Sequence, residues 1–158
     1  MSETSPSVQR VENALAVHGM TGRIVNLPAS TRTAQEAAAA IGCPVATIAK
    51  SLVFKLETSG QALLVIASGS HRVSEATLSV LVSDRVLKAD AQFVRQATGF
   101  AIGGVPPVGH RSDVQVLIDA SLLQYPEIWA AAGTPHAVFR LSPEELKRIT
   151  GGRVVSVA

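Results

Sequence analysis

The chain predicts an α/β or α+β domain built on a mixed β-sheet, not a doubly wound parallel one. Three observations lead there. Strand-like and helix-like segments alternate irregularly along the chain, and two apolar, β-branched runs flank Thr58-Ser59-Gly60 as the arms of a hairpin do. Hydrophobic residues make up 47% of the chain against 16% charged, enough to fill a core. A length of 158 residues suits one domain over residues 1–158, with no repeat or linker inside it.

Residues 5–19 read as a first helix, with Val8, Val11, Leu15 and Ala16 on one face and Gly19 at the stop. Residues 23–27 read as a short strand ended by Pro28. Thr33 and Glu36 have the spacing of a capping box, in which hydroxyl and carboxylate each satisfy a free backbone N–H. An alanine-rich helix follows to about Ile41 and stops at Gly42. Residues 44–49 suit one more helical turn, with Pro44 in the first position, where its missing N–H costs least. The hairpin arms are residues 50–56 and 61–67. Helices are expected over 74–82 and over 90–97, the latter capped by Asp90 and closed by Gly99. Residues 114–118 and 137–141 read as strands, Ser142-Pro-Glu-Glu145 as a second capping box, and residues 154–157 as a last strand after Gly151-Gly152.

Composition narrows the function classes. A formal charge of +2, with 14 Lys and Arg dispersed along the chain, permits nucleic-acid contact without marking a basic cluster. Cys43 is the single cysteine, so no intramolecular disulfide can form, as in a reducing cytoplasm. Residues 1–9 lack the apolar centre of a signal peptide, and no apolar run approaches the roughly 18 residues of a membrane span. A cytoplasmic protein with no membrane partner is expected.

Residues 99–110, reading GFAIGGVPPVGH, are the most unusual segment. Its glycines and prolines preclude a helix or central strand and demand a shaped loop. That loop is either a tight structural turn or a wall that a ligand's atoms approach closely. Lys50 stands between Ile48-Ala49 and Ser51-Leu52-Val53-Phe54, at the head of a strand that should be buried. It is either a snorkelling or edge-strand lysine, or a cation at a pocket mouth facing a phosphate or a developing oxyanion. The polar run 68–72 is an ordinary loop or one wall of a site. Cys43 reads as a small core residue. His18, His71, His110 and His136 are scattered, so no metal site is expected, and no Walker loop, dinucleotide fingerprint or G-x-S-x-G elbow occurs.

Together the segments T-A-Q-E-A-A, I-A-K-S-L-V-F and G-G-V-P-P-V-G-H resemble the YbaK/ProX family of aminoacyl-tRNA deacylases, relatives of the editing domain inserted in bacterial prolyl-tRNA synthetases. The likeness runs from about Val8 to Val157. It implies a mixed, partly closed sheet surrounded by helices, no metal or organic cofactor, and a pocket for the aminoacylated 3′ adenosine. Lys50 matches the lysine the family requires for activity. Gly104, with Gly103 beside it, matches the loop glycine that positions the ester or its water; Pro107 and His110 complete that motif. Ser30, Thr31, Arg32 and Thr33, and the run holding Ser68, Gly69 and His71, match regions that line the pocket.

The resemblance implies a hydrolase acting in trans on the ester of a mischarged small amino acid. Alanine is the first expectation, with 2-aminobutyrate, cysteine, serine and threonine next, and tRNA-Pro the expected carrier. Prolyl-tRNA synthetase is a candidate partner and DNA is not. The competing expectation is a catalytically inactive module of the same fold that binds tRNA or a synthetase. An aminoacyl ester is already activated, so the chemistry needs a placed water and positive or N–H dipoles at the tetrahedral oxyanion, with no covalent nucleophile.

Overall fold

The computed structural model describes residues 5–158. Helix α1 spans Pro6–Ala16, and strand β1, Ile24–Asn26, leads to α2, Ala34–Ile41. A 3₁₀ turn, Val45–Thr47, opens into the hairpin β2, Ile48–Leu56, and β3, Ala62–Ser68. Then come α3 (Glu75–Val82), β4 (Val86–Lys88), α4 (Ala91–Thr98) and β5 (Val114–Asp119). A 3₁₀ turn over Ala120–Gln124 precedes β6 (Ile128–Ala131), β7 (Ala137–Leu141), α5 (Pro143–Thr150) and β8 (Arg153–Val155).

Short polar side chains start the helices. Ser5, Thr33, Ser74, Asp90 and Ser142 each accept a backbone N–H from the first turn. Ser142 and Glu145 form the full reciprocal box. Thr33 and Glu36 form only half of one, because the Glu36 carboxylate takes the Thr33 hydroxyl instead of its N–H. Helix α1 ends three residues before the glycine expected to stop it, and residues 17–19 continue as a turn. Pro44 caps the 3₁₀ turn from outside, and β2 begins at Ile48, two residues earlier than the apolar run suggested. The last strand is Arg153–Val155, ahead of the expected 154–157.

Eight strands form one mixed sheet in the order β1-β7-β6-β2-β3-β5-β8, with β4 beside β2. The β2–β3 hairpin is antiparallel, whereas β3–β5, β5–β8 and β2–β6 are parallel. β3 is buried along its whole length and therefore reads as an unbroken apolar run. Leu64 and Ile66 enter a core shared with α1, α4, Phe100 and α5; Leu63, Val65 and Ala67 enter a second core with Leu78 of α3 and Val155. A third cluster seats α2, through Ala37 and Ala38, on Ile48, with Cys43 and Trp129 at its margin.

The fold leaves one edge of β2 open in its middle. On that edge β6 pairs only Ile48 and Ala49, and β4 only Phe54 to Leu56. Leu56 N–H donates to Gln61 and Gly69 N–H to the Ile48 carbonyl, so even-numbered residues of β2 direct their backbone groups toward β3. Strand alternation then turns the N–H and C=O of Ser51 to the open edge.

Candidate active site

A cavity of about 280 Å³ occupies this gap. Its floor is residues 48–52 of β2, α2 contributes Ala34, Ala37 and Ile41, β6 contributes Trp129 and Ala130, and Ile102, Gly103 and Val105 close the remaining side. The walls are predominantly apolar, with few charged groups, the composition of a small-molecule pocket.

Lys50 lines this cavity. It lies opposite Ala67 on β3, and its Nζ donates to the His71 carbonyl at 2.6 Å. Burial pulls the lysine below its ordinary pKa; Asp119 resists that fall and Arg72 adds to it. The loop carrying the acceptor is braced by Asp119, only 2% exposed. One Asp119 oxygen accepts the Ser68 N–H at 3.0 Å and meets His71 Nδ1 at 3.0 Å, while the other accepts the Ser121 N–H at 2.9 Å. Burial alone would raise this carboxyl; the donors from Ser68 and Ser121 outweigh it and hold the pKa below the usual carboxylate value. An ionised carboxylate can only accept, so His71 donates from Nδ1 and its Nε2 keeps the lone pair when the ring is neutral.

The other residues named from the sequence divide between the cavity and its supports. Thr31, Arg32 and Thr33 line it. Thr31 is tied down through Oγ1 to the Pro135 carbonyl at 2.7 Å, and Arg32 lies over Gly103, where an added Cβ would stand 3.1 Å from Arg32 Cγ. Ser30 is outside the wall and accepts the Arg32 N–H at 3.4 Å. Ser68 is 1% exposed, with its hydroxyl on the Ala46 carbonyl. Gly69 is pressed against Val45 and Ala34, where a Cβ would collide. Both sit behind the cavity and fix the loop that carries His71.

The Gly/Pro loop divides likewise. Gly103, at φ +91°, faces the cavity. The Gly104 N–H is already donated to Ala101 and its carbonyl accepts from Gly133; a Cβ there would lie 2.8 Å from Thr134 Cα. Gly104 is thus a packing glycine one residue behind the wall. Pro107 is buried beyond it. His110 donates Nε2–H to the Pro106 carbonyl at 2.7 Å, and burial lowers its pKa. It clasps the loop from outside the cavity lining.

Asp119, Ser121, Trp129 and the alanines of α2 belong to the site or its frame and were not singled out from the sequence. A signal existed for Asp119: it follows directly on the apolar run Val116-Leu117-Ile118. Among the described residues, no three His, Cys, Asp or Glu side chains gather as metal ligands would.

Comparison with known proteins agrees with this architecture. Residues 28–149 match the family model described as an aminoacyl-tRNA editing domain. A solved structure of a candidate trans-editing enzyme for prolyl-tRNA synthetase superposes with TM-score 0.91 at 48% identity, covering 98% of both chains. A hypothetical protein of known structure matches with TM-score 0.86 at 31% identity, over 94% of this chain and 98% of its own. The uncharacterized protein YwhH of Bacillus subtilis (strain 168) is 29% identical over 131 residues, 83% of each chain. With the sheet, its open β2 edge and the lysine-bearing cavity all in place, the chain belongs to the aminoacyl-tRNA editing domain family.

Proposed function

We propose that this protein hydrolyses the ester joining a mischarged small amino acid to tRNA, acting in trans as a single editing domain in the cytoplasm. The observation that carries the proposal is Lys50, a half-buried ammonium placed in an alanine-walled cavity and held by a backbone carbonyl. In such a desolvated setting a cation stabilises a developing oxyanion, or anchors the terminal phosphate, more strongly than it would in water. Gly103 brings main chain to the same cavity and is the group nearest to hand for orienting the attacking water. The substrate supplies the rest, since its ester is activated and its ribose carries a neighbouring hydroxyl.

Alanine on tRNA-Pro is the first choice of substrate, with 2-aminobutyrate, cysteine, serine and threonine following. The 48% identical neighbour described as a candidate trans-editing enzyme for prolyl-tRNA synthetase supports that order. The physical need is general: a synthetase pocket gains only about 1–3 kcal/mol per methylene, so a second site must remove smaller amino acids that pass the first. No described helix is long and apolar enough to cross a membrane.

A panel of mischarged tRNAs tests the reading. The wild type should deacylate a small amino acid, and Lys50→Ala should lower kcat/KM by about 10²-fold or more. Its stability should change by no more than about 1 kcal/mol, because Lys50 lines a cavity and its ammonium is already partly desolvated there. Wild-type turnover by folded Lys50→Ala would remove the lysine from the mechanism. No turnover by the wild type on any substrate would favour a binding module of the same fold.

A further inference from the structure

The 14 Lys and Arg, dispersed along the sequence, do not all stay dispersed in space. Arg10 of α1, Arg32 ahead of α2 and Arg111 all border the Gly/Pro loop. At the base of the loop, a Cβ built on Gly99 would stand 2.6 Å from Arg10 Nη1 and 3.5 Å from Arg111 Cβ. At its tip, Arg32 lies over Gly103. The chain from Gly99 to Gly103 spans at most about 14 Å, so the three cations flank a single ridge. All three arginines are exposed, as are Ala101 and Ile102 between the two ends.

The charge on this ridge is uncompensated. Among the described residues, no ion pair includes Arg10, Arg32 or Arg111, whereas Arg23, Arg85 and Arg140 each have a carboxylate partner. The carboxylates close by in sequence are engaged elsewhere. Glu12 accepts the Gly22 N–H, Glu36 accepts the Thr33 hydroxyl, and Asp113 lines a separate cavity with Gln61 and Gln96. Arg10 is held by groups that leave its charge intact. Its Nη1 donates to the Gly99 carbonyl at 3.2 Å, and its guanidinium stands 5.1 Å from the centroid of the buried Phe100 ring. A guanidinium fixed in advance gives up less side-chain entropy when it meets an anion.

We propose that this ridge is the surface on which the tRNA backbone lies beyond the terminal nucleotide, with Arg10 and Arg111 binding its phosphodiesters. The inference rests on the deacylase reading above and extends it from the cavity to the body of the substrate. Exposed guanidiniums without carboxylate partners suit a polyanion with regularly spaced phosphates, and give a neutral or basic partner no advantage. Because the tip of the loop walls the cavity and its base adjoins α1, the backbone passes Arg32 on leaving the cavity and then reaches Arg10 and Arg111. Contacts of this kind position the substrate and carry no base-sequence information.

The test compares two substrates of the full chain. One is a mischarged tRNA that the wild type deacylates; the other is the same amino acid esterified to adenosine alone, which has no phosphodiester. In the double variant Arg10→Gln, Arg111→Gln, KM for the tRNA should rise at least tenfold with kcat within twofold. Turnover of the short ester should stay within twofold of the wild type. The slope of log kcat/KM against log salt on tRNA should become shallower by about 0.7–0.9 per arginine removed. Should the double variant fail to fold or slow the short ester, Arg111→Gln alone decides, because that exposed side chain enters no ion pair. Its tRNA KM should rise at least threefold. An unchanged KM and salt slope on tRNA, or an equal loss on the short ester in Arg111→Gln, would overturn the ridge and leave the deacylase reading standing. No turnover of either substrate by the wild type would overturn both.

Discussion

Residues 68–72 and residues 99–110 both reach the strand that carries Lys50, and they are held there by different forces. The first segment contains Ser68, Gly69, Ser70, His71 and Arg72, and its shape depends on one buried carboxylate, Asp119, receiving donors from Ser68, His71 and Ser121. The second buries Phe100, Val105 and Val108 in the main core and adds the His110–Pro106 clasp on its outer side. A directional polar brace fixes the position of a carbonyl, which Lys50 needs. An apolar plug fixes the position of a surface, which suits a wall. Each part of the site is built with the force that controls the coordinate that matters there.

Each brace can be broken separately. Phe100→Ala should have the largest effect on stability, about 3–5 kcal/mol in denaturant unfolding, because the ring is fully buried and leaves a cavity under the loop. Deacylation should fall with it as Ile102 and Gly103 lose support. Asp119→Ala should cost less, about 2–3 kcal/mol, by leaving the buried Ser68 N–H and the part-buried Ser121 N–H unpaired. Its activity loss should nonetheless exceed that of Phe100→Ala when both are assayed below their unfolding temperatures. The opposite ranking of activities would mean that the wall, not the Lys50 anchor, limits the reaction.

The smallest effect is on the pH dependence of stability. The folded-state pKa of Asp119 lies below its unfolded value, so its contribution is complete above about 3.9 and is lost as pH falls through the lowered folded value. Asp119→Asn should flatten that acid limb, measured as unfolding free energy between pH 6 and pH 2. Phe100→Ala should shift the whole curve down without changing its shape. An unaltered limb in Asp119→Asn would assign acid sensitivity to other carboxylates, first among them Glu145, held at a pKa of about 2 by Arg23.

Local structure was legible wherever the signal was local. The caps at Thr33, Asp90 and Ser142, the helix starts near Ser5 and Ser74 and the hairpin at Thr58-Ser59-Gly60 all follow from neighbours in sequence. Strands β4 and β6 were not anticipated. The first has three residues and ends in a lysine, and the second has four residues, two of them alanine, so neither carries enough alternation or β propensity to register. Missing them hid the open edge of β2, because that edge exists only where β6 stops and β4 has not begun. Within the motif of the Gly/Pro loop, composition could show that glycines were required but not which of them faces the cavity. The neighbours that separate Gly103 from Gly104 are Arg32 and Thr134, far away in the chain. Asp119 escaped notice for a related reason: two of its three donors are backbone N–H groups, which leave no trace in residue identity.

The alanines of α2 carry a consequence for how such a protein can diversify. Ala34, Ala37 and Ile41 form one side of the cavity without contributing a polar atom to it, and Lys50 and Gly103 stand on other elements. On the reading proposed above, the amino acid accepted and the chemistry performed are encoded on separate pieces of chain. A change from alanine to valine on this helix is one nucleotide away in the genetic code and narrows the chamber by two methyl groups. Under that proposal, changes in α2 would shift the amino acid accepted while Lys50 on β2 and Gly103 on the loop stay untouched.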